Sequence, residues 1–407
     1  MLDRIENIYR PASGVLLLLC AAVVGTGCGG GGANSEQVAT RTAFSSGAIT
    51  GLGSIIVNGV RFDDSTASVS DDDDGDSLED DKDYLRLGMV VEIESESLTN
   101  AGMNGKATKI RFGPEIVGLV SSVAADGSSL VLLGQTVAIT ATTVVDDSLV
   151  GGIAGLVPGT SVIEVHAFFD AATGAYTATR IEPELNAPYY KLRGMVTNID
   201  KTAMTLSIGS SGETISYRAI ATAVPASLDN GMLVKVKLQT MQVDGQWIAT
   251  QIENGARRVD DDHDEAEIEG RITATTFDVD KKFSVNGLAV DASQAAFPDG
   301  TAGIVLGARV EVEGRAVGGV IIATRVELED EHEVEVEGFE LHGEVLSFDD
   351  VTKTFMLRGI KVSFDNPALV VDDGLLSDLR NTRQVEVKGE LSDDGTMLVA
   401  TYISFES

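Results

Sequence analysis

The chain contains 407 residues, of which 43% are hydrophobic and 23% are charged, and its formal net charge is −33. A charge of this sign argues against binding to nucleic acid backbones or to anionic membrane surfaces, because both would repel the protein. The 44 glycines and 8 prolines predict a globular chain with packed cores and many tight turns.

The first residues are typical of an export signal. The apolar run from Val15 to Val24 is too short to span a bilayer, and small residues follow it. Cys28 comes directly after these residues and precedes four glycines, an arrangement that resembles the lipobox of bacterial lipoproteins. We interpret residues 1–27 as a signal peptide, Cys28 as the lipidation site and residues 28–44 as a flexible tether. The alternatives are a signal peptide cleaved elsewhere or an uncleaved anchor.

Cleavage before Cys28 would leave one cysteine in the mature chain. The sequence has two cysteines, and Cys20 would be removed with the signal peptide. An acylated Cys28 cannot form a disulfide, so this interpretation excludes disulfides and cysteine metal sites although export would permit them.

A short motif, Ala-Thr-x-Ile or Ala-Thr-x-Val, divides the rest of the chain into repeats. Its copies start at positions 107, 178, 249, 323 and 400, so the period lies between 71 and 77 residues. Such regular spacing indicates an array of similar structural units, each of which ends at this motif. The five copies begin with Ala107-Thr108, Ala178-Thr179, Ala249-Thr250, Ala323-Thr324 and Ala400-Thr401.

Three further landmarks precede the motif in each unit. The first is Gly-x-Ile or Gly-x-Val, at Gly47, Gly118, Gly194, Gly270 and Gly343. The second is an alternating run, in several units broken by a predicted hairpin turn at Asn58-Gly59, Gly134-Gln135, Asn286-Gly287 or Arg358-Gly359. The third is a glycine before a period-two strand, at Gly88, Gly159, Gly231 and Gly307. In the fifth unit Asn381 takes that place, which predicts a positive φ at Asn381.

These landmarks predict an all-β protein built as a tandem array of small, five- to six-stranded OB-like β-barrels. Closed barrels are favoured over open sheets because they leave few exposed edges. Units that contact mainly their chain neighbours would form an elongated rod or a bent string. The predicted barrels are residues 45–113 with an acidic insert, 114–184, 188–254, 265–328 and 334–407.

The Ala-Thr motif itself allows two interpretations. In the first, the alanine lies where the closing strand approaches another backbone, the threonine faces outward, and the Ile or Val fills the core. In the second, Ala-Thr is only a favourable strand pair without a special contact.

The first unit also resembles a known family. Residues 47–62, GAITGLGSIIVNGVRF, and residues 85–93, LRLGMVVEI, are similar to the opening of the DUF5666 family. The resemblance extends more weakly through the other four units. It implies an exported or lipid-anchored bacterial repeat protein of unassigned function, and it supplies no catalytic residues.

An acidic insert between residues 71 and 83 is the first candidate site. With Gly75 at the sixth position of an EF-hand-like loop, the candidate Ca²⁺ ligands are Asp72, Asp74, Asp76 and Asp81. Clustered carboxylates repel one another, and hard cations relieve that repulsion. The alternative is a solvated, disordered loop without bound metal.

Two more acidic runs, residues 260–265 and 327–337, coincide with unit boundaries. Alternation in the second run would place four carboxylates on one face of a strand: Glu331, Glu333, Glu335 and Glu337. A metal site that uses His263 or His332 is one hypothesis, and isolated acidic surface is the other.

Motifs of known enzymes do not emerge from the sequence. The four histidines belong neither to a His-Glu-x-x-His helix nor to a Gly-x-Ser-x-Gly elbow, so we predict a non-catalytic protein without a cofactor, Ca²⁺ apart. Trp247 is the candidate binding residue, because exposed aromatics stack on sugars. Tyr176 and Tyr402 occupy neighbouring positions of their own units, and core packing of all three is the alternative.

Together these features predict an exported, lipid-anchored, non-catalytic structural or binding protein of the bacterial cell envelope. The expected location is the outer membrane, the periplasm or the cell surface, with an envelope polymer or a protein as the partner and no nucleic acid. One alternative is an envelope polysaccharide-binding protein. The other is a hydrolase with an unrecognised carboxylate site, which would need a deep pocket with converging carboxylates.

Overall fold

The computed structural model describes residues 42–72, 84–209, 213–329 and 338–406. Strands form the regular structure of these ranges apart from short helical turns, so the all-β prediction is confirmed. None of the helices in these ranges is long and apolar enough to cross a membrane. The helical turns are α1 (Phe277–Asp280) and the 3-10 turns Gly152–Gly155, Arg218–Ile220 and Leu376–Asp378.

The first two repeat units form barrels 1 and 2. The strands of barrel 1 are β1 (Thr42–Leu52), β2 (Ile55–Val57), β3 (Val60–Asp63), β4 (Ser68–Asp71), β5 (Val90–Glu96) and β6 (Asn104–Phe112). The strands of barrel 2 are β7 (Ile116–Val123), β8 (Ser129–Leu132), β9 (Gln135–Ala138), β10 (Val144–Val145), β11 (Val162–Asp170) and β12 (Ala175–Pro183).

The other three units form barrels 3, 4 and 5. The strands of barrel 3 are β13 (Tyr190–Asp200), β14 (Thr205–Ile208), β15 (Ile215–Ser216), β16 (Leu233–Leu238) and β17 (Trp247–Asn254). The strands of barrel 4 are β18 (His263–Thr275), β19 (Lys282–Val285), β20 (Leu288–Asp291), β21 (Arg309–Val317) and β22 (Val320–Leu328). The strands of barrel 5 are β23 (Phe339–Glu344), β24 (Leu346–Asp349), β25 (Thr354–Leu357), β26 (Ile360–Ser363), β27 (Val370–Asp372), β28 (Gln384–Leu391) and β29 (Leu398–Phe405).

Each barrel closes through the same order of strand pairing. In barrel 1, β2 pairs with β1 and β3, and β5 pairs with β1 and β6, all antiparallel. The parallel pair of β3 with β6 completes the ring. Equivalent pairs recur in the other barrels, and in barrel 5 the first strand is divided into β23 and β24 at Val345. A five-stranded ring of this kind is OB-like, and the predicted tandem array is confirmed.

The Ala-Thr motif forms a β-bulge in every barrel. In barrel 1 the pairing shifts between Glu94 and Ser95, so that Thr108 is an extra residue between the paired Ala107 and Lys109. The five alanines of the motif are buried. A β-bulge leaves one residue of the bulged strand out of the ladder and bends the strand locally. The same shift lies opposite Thr179, Thr250, Thr324 and Thr401.

In four barrels the threonine hydroxyl donates across this bulge to a backbone carbonyl of the neighbouring strand. The motif therefore makes a specific backbone contact, although through its threonine and not through its alanine. In barrel 2, Thr179 Oγ1 is buried and has no hydrogen-bond partner among the described residues. The four bonds join Thr108 to Glu94 (3.0 Å), Thr250 to Lys237 (3.2 Å), Thr324 to Glu313 (3.2 Å) and Thr401 to Lys388 (3.2 Å).

The predicted hairpin turns have two successive residues in the left-handed region. The φ angles are 52° and 72° at Asn58-Gly59, 49° and 86° at Asn286-Gly287, and 52° and 78° at Arg358-Gly359. Turns of this kind match the right-handed twist of the strands that they join. In barrel 2 the turn is Leu133-Gly134, one residue earlier than predicted, because Gln135 already belongs to β9.

The glycine that opens a unit makes room for the hairpin residue that follows it. A Cβ atom on Gly47 would lie 2.1 Å from Asn58 Oδ1, and one on Gly270 would lie 2.0 Å from Asn286 Nδ2. The Asn58 amide donates in turn to the Ser46 carbonyl at 3.2 Å. In barrels 1 and 4 the glycine of the first landmark and the asparagine of the second therefore lie in direct contact.

The third landmark differs from the prediction in barrel 5. Gly231 has a φ of 82°, and its N–H donates to the carbonyl of Val196 on the first strand of barrel 3 at 2.8 Å. In barrel 5 the equivalent residue is Thr382, with a φ of 68° and a 2.9 Å bond to the Val345 carbonyl. The prediction for Asn381 was wrong, because its Oδ1 instead accepts a hydrogen bond from the Phe348 N–H at 2.8 Å.

Barrel 1 pairs its first strand with two barrels that are distant in the chain. Residues 43–46 of β1 run parallel to 265–268 of β18, and residues 51–52 run parallel to 340–341 of β23. Barrels 2 and 3 are joined by β7 and β13. The predicted rod or bent string is therefore wrong, because residues of β1 that pair within barrel 1 on one edge also pair with barrels 4 and 5 on the other edge.

The hydrophobic cores follow these connections. One continuous core is shared by barrels 1 and 5, and another is shared by barrels 2 and 3. The core of barrel 4 includes Phe44 from β1, which is 1% exposed. The predicted tether thus ends before residue 42, since residues 42–44 belong to β1. Cys28, the signal peptide of residues 1–27 and the tether up to residue 41 lie outside the described residues.

Candidate functional site

A cluster of charged side chains lies where barrel 1 meets barrel 5. Pairing of β1 with β23 brings Arg61 of β3 close to the outer face of β23. Glu340 and His342 are two residues apart on β23 and so share a face, and Glu386 pairs directly with His342 on β28. We name these side chains the His342 cluster: Arg61, Glu340, His342, Glu386, Lys388 and Glu406.

The imidazole of His342 lies between two carboxylates. Its Nε2 is 2.6 Å from Glu340 Oε1, and its Nδ1 is 2.7 Å from Glu406 Oε1. Arg61 also contacts Glu340 Oε1, and its Nη2 lies 3.2 Å from His342 Nε2. Lys388 reaches Glu340 at 3.0 Å and Glu386 at 3.2 Å. Carboxylates and cationic side chains thus converge around the imidazole of His342.

These contacts change the proton affinities of the cluster. The hydrogen bond from His342, together with Lys388 and Arg61, lowers the pKa of Glu340 to about 2 against the effect of burial. The hydrogen bond to Glu340 raises the pKa of His342 against the effect of burial, and Glu406 adds to the rise. The Glu340 carboxylate therefore remains ionised through the physiological range.

A cavity of about 250 Å³ opens beside the cluster. Its lining includes Arg61, His342 and Glu406, together with Arg358, whose Nε donates to the His342 carbonyl at 2.8 Å. The cavity gives small solutes access to the imidazole from the junction of the two barrels.

Asp72, a predicted Ca²⁺ ligand, has a different environment from the one expected. Its carboxylate contacts Lys191 Nζ at 2.8 Å and also Arg193, and its carbonyl accepts a bond from Lys235 at 2.6 Å. The Lys191 and Arg193 side chains, both from barrel 3, are 0% and 8% exposed. These buried cations already pair with the carboxylate that was assigned to Ca²⁺, and the Ca²⁺ role of Asp72 stays a prediction. Asp74, Asp76 and Asp81 lie outside the described residues.

Further ion pairs, most of them buried, connect barrels 1 and 2 with the segment before barrel 4. Arg257, in the segment before barrel 4, lies 2.7 Å from Glu115 and 3.5 Å from Glu92. Arg111 contacts Glu92 at 3.0 Å and Asp260 at 2.6 Å. Asp260 begins one of the acidic runs, and the structure pairs it with a cation of barrel 1. We refer to these five residues, with Asp72, Lys191 and Arg193, as the junction network.

Of the two histidines proposed as metal ligands, His263 does not form a metal site with the other described residues. His263 is buried, and its Nδ1 lies 3.1 Å from Thr42 Oγ1 of β1. Burial lowers its pKa. The groups of potential metal ligands found in the described ranges do not include it. His332 and the carboxylates Glu331, Glu333, Glu335 and Glu337 lie outside those ranges.

Barrel 2 contains a second group with potential metal ligands, Glu164, His166 and Glu182. His166 is fully buried, its Nε2 lies 3.1 Å from Glu164, and its Nδ1 has no hydrogen-bond partner among the described residues. Arg180 lies next to this group, contacts Glu182 at 2.7 Å and also contacts Asp146. This group is an ion-pair cluster in which the buried Arg180 already contacts the Glu182 carboxylate, while the Glu164 and Glu182 side chains are 19% and 20% exposed.

Four glutamates line the outer face of barrel 4 next to barrel 1. Glu267 is paired with Glu313, and Glu269 is paired with Glu311, across β18 and β21. The Glu267 and Glu311 carboxyls hydrogen-bond to each other. Burial raises the pKa of Glu267 to about 7 and that of Glu311 to about 9, where Glu267 adds to the rise. At neutral pH this pair therefore retains a proton.

The candidate binding residue Trp247 belongs to the core of barrels 2 and 3. It is 8% exposed, its indole N–H donates to Glu213, and its ring packs edge-on against Tyr190 at 5.7 Å. Tyr176 is fully buried, and its hydroxyl donates to the Arg193 carbonyl at 2.5 Å. Tyr402 is partly exposed. Trp247 and Tyr176 therefore pack in the core, and neither exposes a ring face on which a sugar could stack.

The His342 cluster was not predicted from the sequence, in which His342 belongs to neither of the two enzyme motifs considered. A signal for it exists, since Glu340-Leu341-His342 alternates in the strand period and puts a carboxylate and an imidazole on one face. Glu164-Val165-His166 has the same Glu-x-His spacing. Arg61 and Glu406, which complete the cluster, are too far away in sequence for any local pattern to include them.

Comparison with known proteins leaves the activity open and identifies the family. No curated protein matches the chain. The family model described as "Domain of unknown function (DUF5666)" matches residues 46–111, 117–182, 269–327 and 342–404, which correspond to barrels 1, 2, 4 and 5. Barrel 3 lies outside the match although it has the same ring of strand pairs. Because the matches cover more than half of its residues, the chain belongs to the DUF5666 family.

Proposed function

We propose that this protein is an exported, lipid-anchored, non-catalytic structural or binding protein of the bacterial cell envelope. Cys28 would carry the lipid, and the five barrels would act as a single body at the outer membrane, in the periplasm or at the cell surface. The observation that supports the proposal is the strand pairing between barrels.

Backbone pairing joins several of the barrels directly. In barrel 1, β1 pairs with β18 of barrel 4 and β23 of barrel 5, and β7 of barrel 2 pairs with β13 of barrel 3. Each pairing makes two barrels part of one sheet and restricts rotation between them. Domains in one chain are expected to move unless their interface is extensive and apolar, and here pairs of barrels share a hydrophobic core. A rigid multi-barrel body suits a protein that holds position or presents a surface.

Buried charges add specificity to these joints. In the junction network, Arg257 bridges Glu115 and Glu92, and Asp72 of barrel 1 meets two cations of barrel 3. Buried ion pairs contribute less to net stability than to the choice of one arrangement, because a shifted arrangement would leave a buried charge without its partner. The network therefore supports one fixed packing of barrels 1, 2 and 3.

The exterior supports a role in which the protein stays soluble and separate from other anionic polymers. Its formal charge of −33 would repel nucleic acids and anionic lipid head groups. Attachment to a membrane would thus depend on the lipid at Cys28, and the partner would be an envelope polymer or a protein with a neutral or basic surface.

Metabolic labelling with palmitate tests the anchor. Full-length protein expressed in a bacterial host should incorporate the label and sediment with membranes, and Cys28→Ser should abolish both. Cys20→Ser is the matched control, since it changes the other cysteine and should leave labelling intact. Equal labelling of wild type and Cys28→Ser, or a soluble wild-type protein, would refute the lipid anchor.

A further inference from the structure

The His342 cluster contains a set of metal-ligand atoms. Glu340, His342 and Glu386 each offer one donor atom, and these atoms lie within 4.8 Å of one another. They come from two adjacent strands, β23 and β28, so their spacing is fixed by backbone pairing. One imidazole with two carboxylates suits Zn²⁺, whereas Ca²⁺ and Mg²⁺ prefer ligand sets of oxygen alone.

Glu406 occupies the place of an orienting carboxylate. It lies 2.7 Å from Nδ1 of His342, the ring nitrogen that points away from Glu340. Metal-bound histidines usually donate their second N–H to such an acceptor, which fixes the tautomer and the orientation of the ring. With Nδ1–H donated to Glu406, the lone pair of Nε2 would face Glu340 and Glu386.

Two side-chain cations now hold the position that a metal ion would take. Arg61 contacts Glu340 and lies 3.2 Å from His342 Nε2, and Lys388 contacts both Glu340 and Glu386. The Arg61 and Lys388 side chains are 34% and 48% exposed. Both can therefore move into solvent, where exposed ion pairs cost little to break.

The cavity beside His342 supplies the remaining requirement, an approach from solvent. Its volume of about 250 Å³ accommodates a hydrated ion, and water from it could complete a tetrahedral ligand set. The Glu164, His166 and Glu182 group differs, because His166 is fully buried and the buried Arg180 contacts the carboxylates of Asp146 and Glu182.

We propose that Glu340, His342 and Glu386 bind Zn²⁺, that Glu406 positions the imidazole, and that Arg61 competes with the metal for the same carboxylate. Binding would break the contact of Arg61 with Glu340 and thereby remove an ion pair between barrels 1 and 5. The proposal does not depend on the lipid anchor, so palmitate labelling and metal binding can fail separately.

Calorimetric titration of the chelator-treated full chain with ZnCl₂ tests the site. Wild type should show a binding event that is absent in His342→Ala and at least about tenfold weaker in Glu386→Gln. Glu406→Gln should weaken it by about 10- to 100-fold, the usual effect of removing an orienting carboxylate. Co²⁺ in place of Zn²⁺ should give visible absorption bands that disappear in the same variants.

Arg61→Gln supplies the sharpest test, because it should bind Zn²⁺ at least several-fold more tightly than wild type. His166→Gln is the matched control for the other Glu-x-His pair and should bind as wild type does. Circular dichroism and melting curves of each variant show whether it folds, and Glu386→Gln replaces His342→Ala if that variant does not. An unchanged Zn²⁺ titration in a folded His342→Ala or Glu386→Gln variant would overturn the site, and weaker binding by Arg61→Gln would overturn the competition.

Discussion

Thr108 Oγ1 donates to the Glu94 carbonyl at 3.0 Å across a β-bulge in which Thr108 is the extra residue. A bulge interrupts the ladder and leaves backbone groups that need other partners. The hydroxyl satisfies the carbonyl that the bulge exposes, and three other barrels repeat the bond. The repeated Ala-Thr motif is therefore explained by a requirement of the barrel's backbone and not by a chemical activity.

The bulge bond predicts different effects for the same substitution in two barrels. Thr250→Val should lower the free energy of unfolding by about 1 kcal/mol, because it removes the 3.2 Å bond to the Lys237 carbonyl and keeps the side-chain shape. Thr179→Val should cost less or even stabilise, since the Thr179 hydroxyl is buried without a protein partner. Urea unfolding of the two variants and wild type measures the difference, and an equal loss in both would contradict this role of the hydroxyl.

Thr382 predicts a stabilising substitution. It has a φ of 68°, whereas Gly88, Gly159, Gly231 and Gly307 fill the equivalent positions with φ between 77° and 82°. A β-branched residue is strained there, so Thr382→Gly should raise the free energy of unfolding by about 1 kcal/mol. Thermal melting checks the expected rise in Tm.

Gly231→Ala is the reverse change and serves as the control. No atom lies within 4 Å of the Cβ that the substitution adds, so its cost comes from the backbone conformation alone. We expect a loss of about 1 kcal/mol. A lower Tm for Thr382→Gly would show that its φ is not a source of strain.

Local features of the barrels could be predicted from the sequence because they depend on neighbouring residues. Asn58-Gly59 marks its hairpin through residues that tolerate positive φ, and strand alternation places Ala107 inside. The position of Thr382 could not be found in this way. Its neighbour Asn381 is the better candidate by residue type, and only the 2.9 Å bond to Val345 across the barrel distinguishes the two.

The arrangement of the barrels and the composition of the candidate site could not be predicted for a related reason. β1 pairs with β18, about 220 residues later in the chain. The alternation of apolar and polar residues in a strand does not specify which of many other strands it pairs with. The His342 cluster depends on the same long-range pairing, since Arg61 reaches Glu340 only because β1 joins β23. The acidic composition of the insert predicted a Ca²⁺ site. It could not show that Asp72 pairs with Lys191 and Arg193, which lie in another barrel.

Asp72 predicts a large destabilisation. Asp72→Asn would leave the fully buried Lys191 and the buried Arg193 without this counter-charge, and loss of one partner from a buried pair typically costs about 3 kcal/mol or more. Asp229→Asn is the control, because the Asp229–Lys201 pair has a similar distance of 2.9 Å but both side chains are more than half exposed. It should leave unfolding unchanged within error. Urea unfolding of both variants decides, and a small effect at Asp72 would show that the charges are satisfied elsewhere.

The Glu267–Glu311 pair predicts that stability falls as the pH rises from about 4.5 to about 9. The pKa values of about 7 and about 9 in the folded protein exceed the ordinary value of a glutamate, because burial and the neighbouring carboxylates disfavour the charged form. The folded protein therefore binds a proton that the unfolded chain has already released. This contribution is complete below about pH 4.5 and is lost as the pH rises toward 9. Glu269 and Glu313 repel the negative charge that forms on Glu311. Arg309, a neighbouring cation, is paired with Glu269.

Glu311→Gln should remove this dependence, because the amide stays neutral at every pH and can still donate to Glu267. Relative to wild type, the variant should gain roughly 1–2 kcal/mol in the free energy of unfolding between pH 6 and pH 9, measured by urea unfolding. Glu390→Gln makes the same chemical change at an exposed position of barrel 5 and should follow the wild-type curve. Infrared spectra at pH 7 should contain the carbonyl band of a protonated carboxyl that Glu311→Gln lacks. A constant difference in stability across this pH range, with no such band, would mean that both carboxylates are ionised.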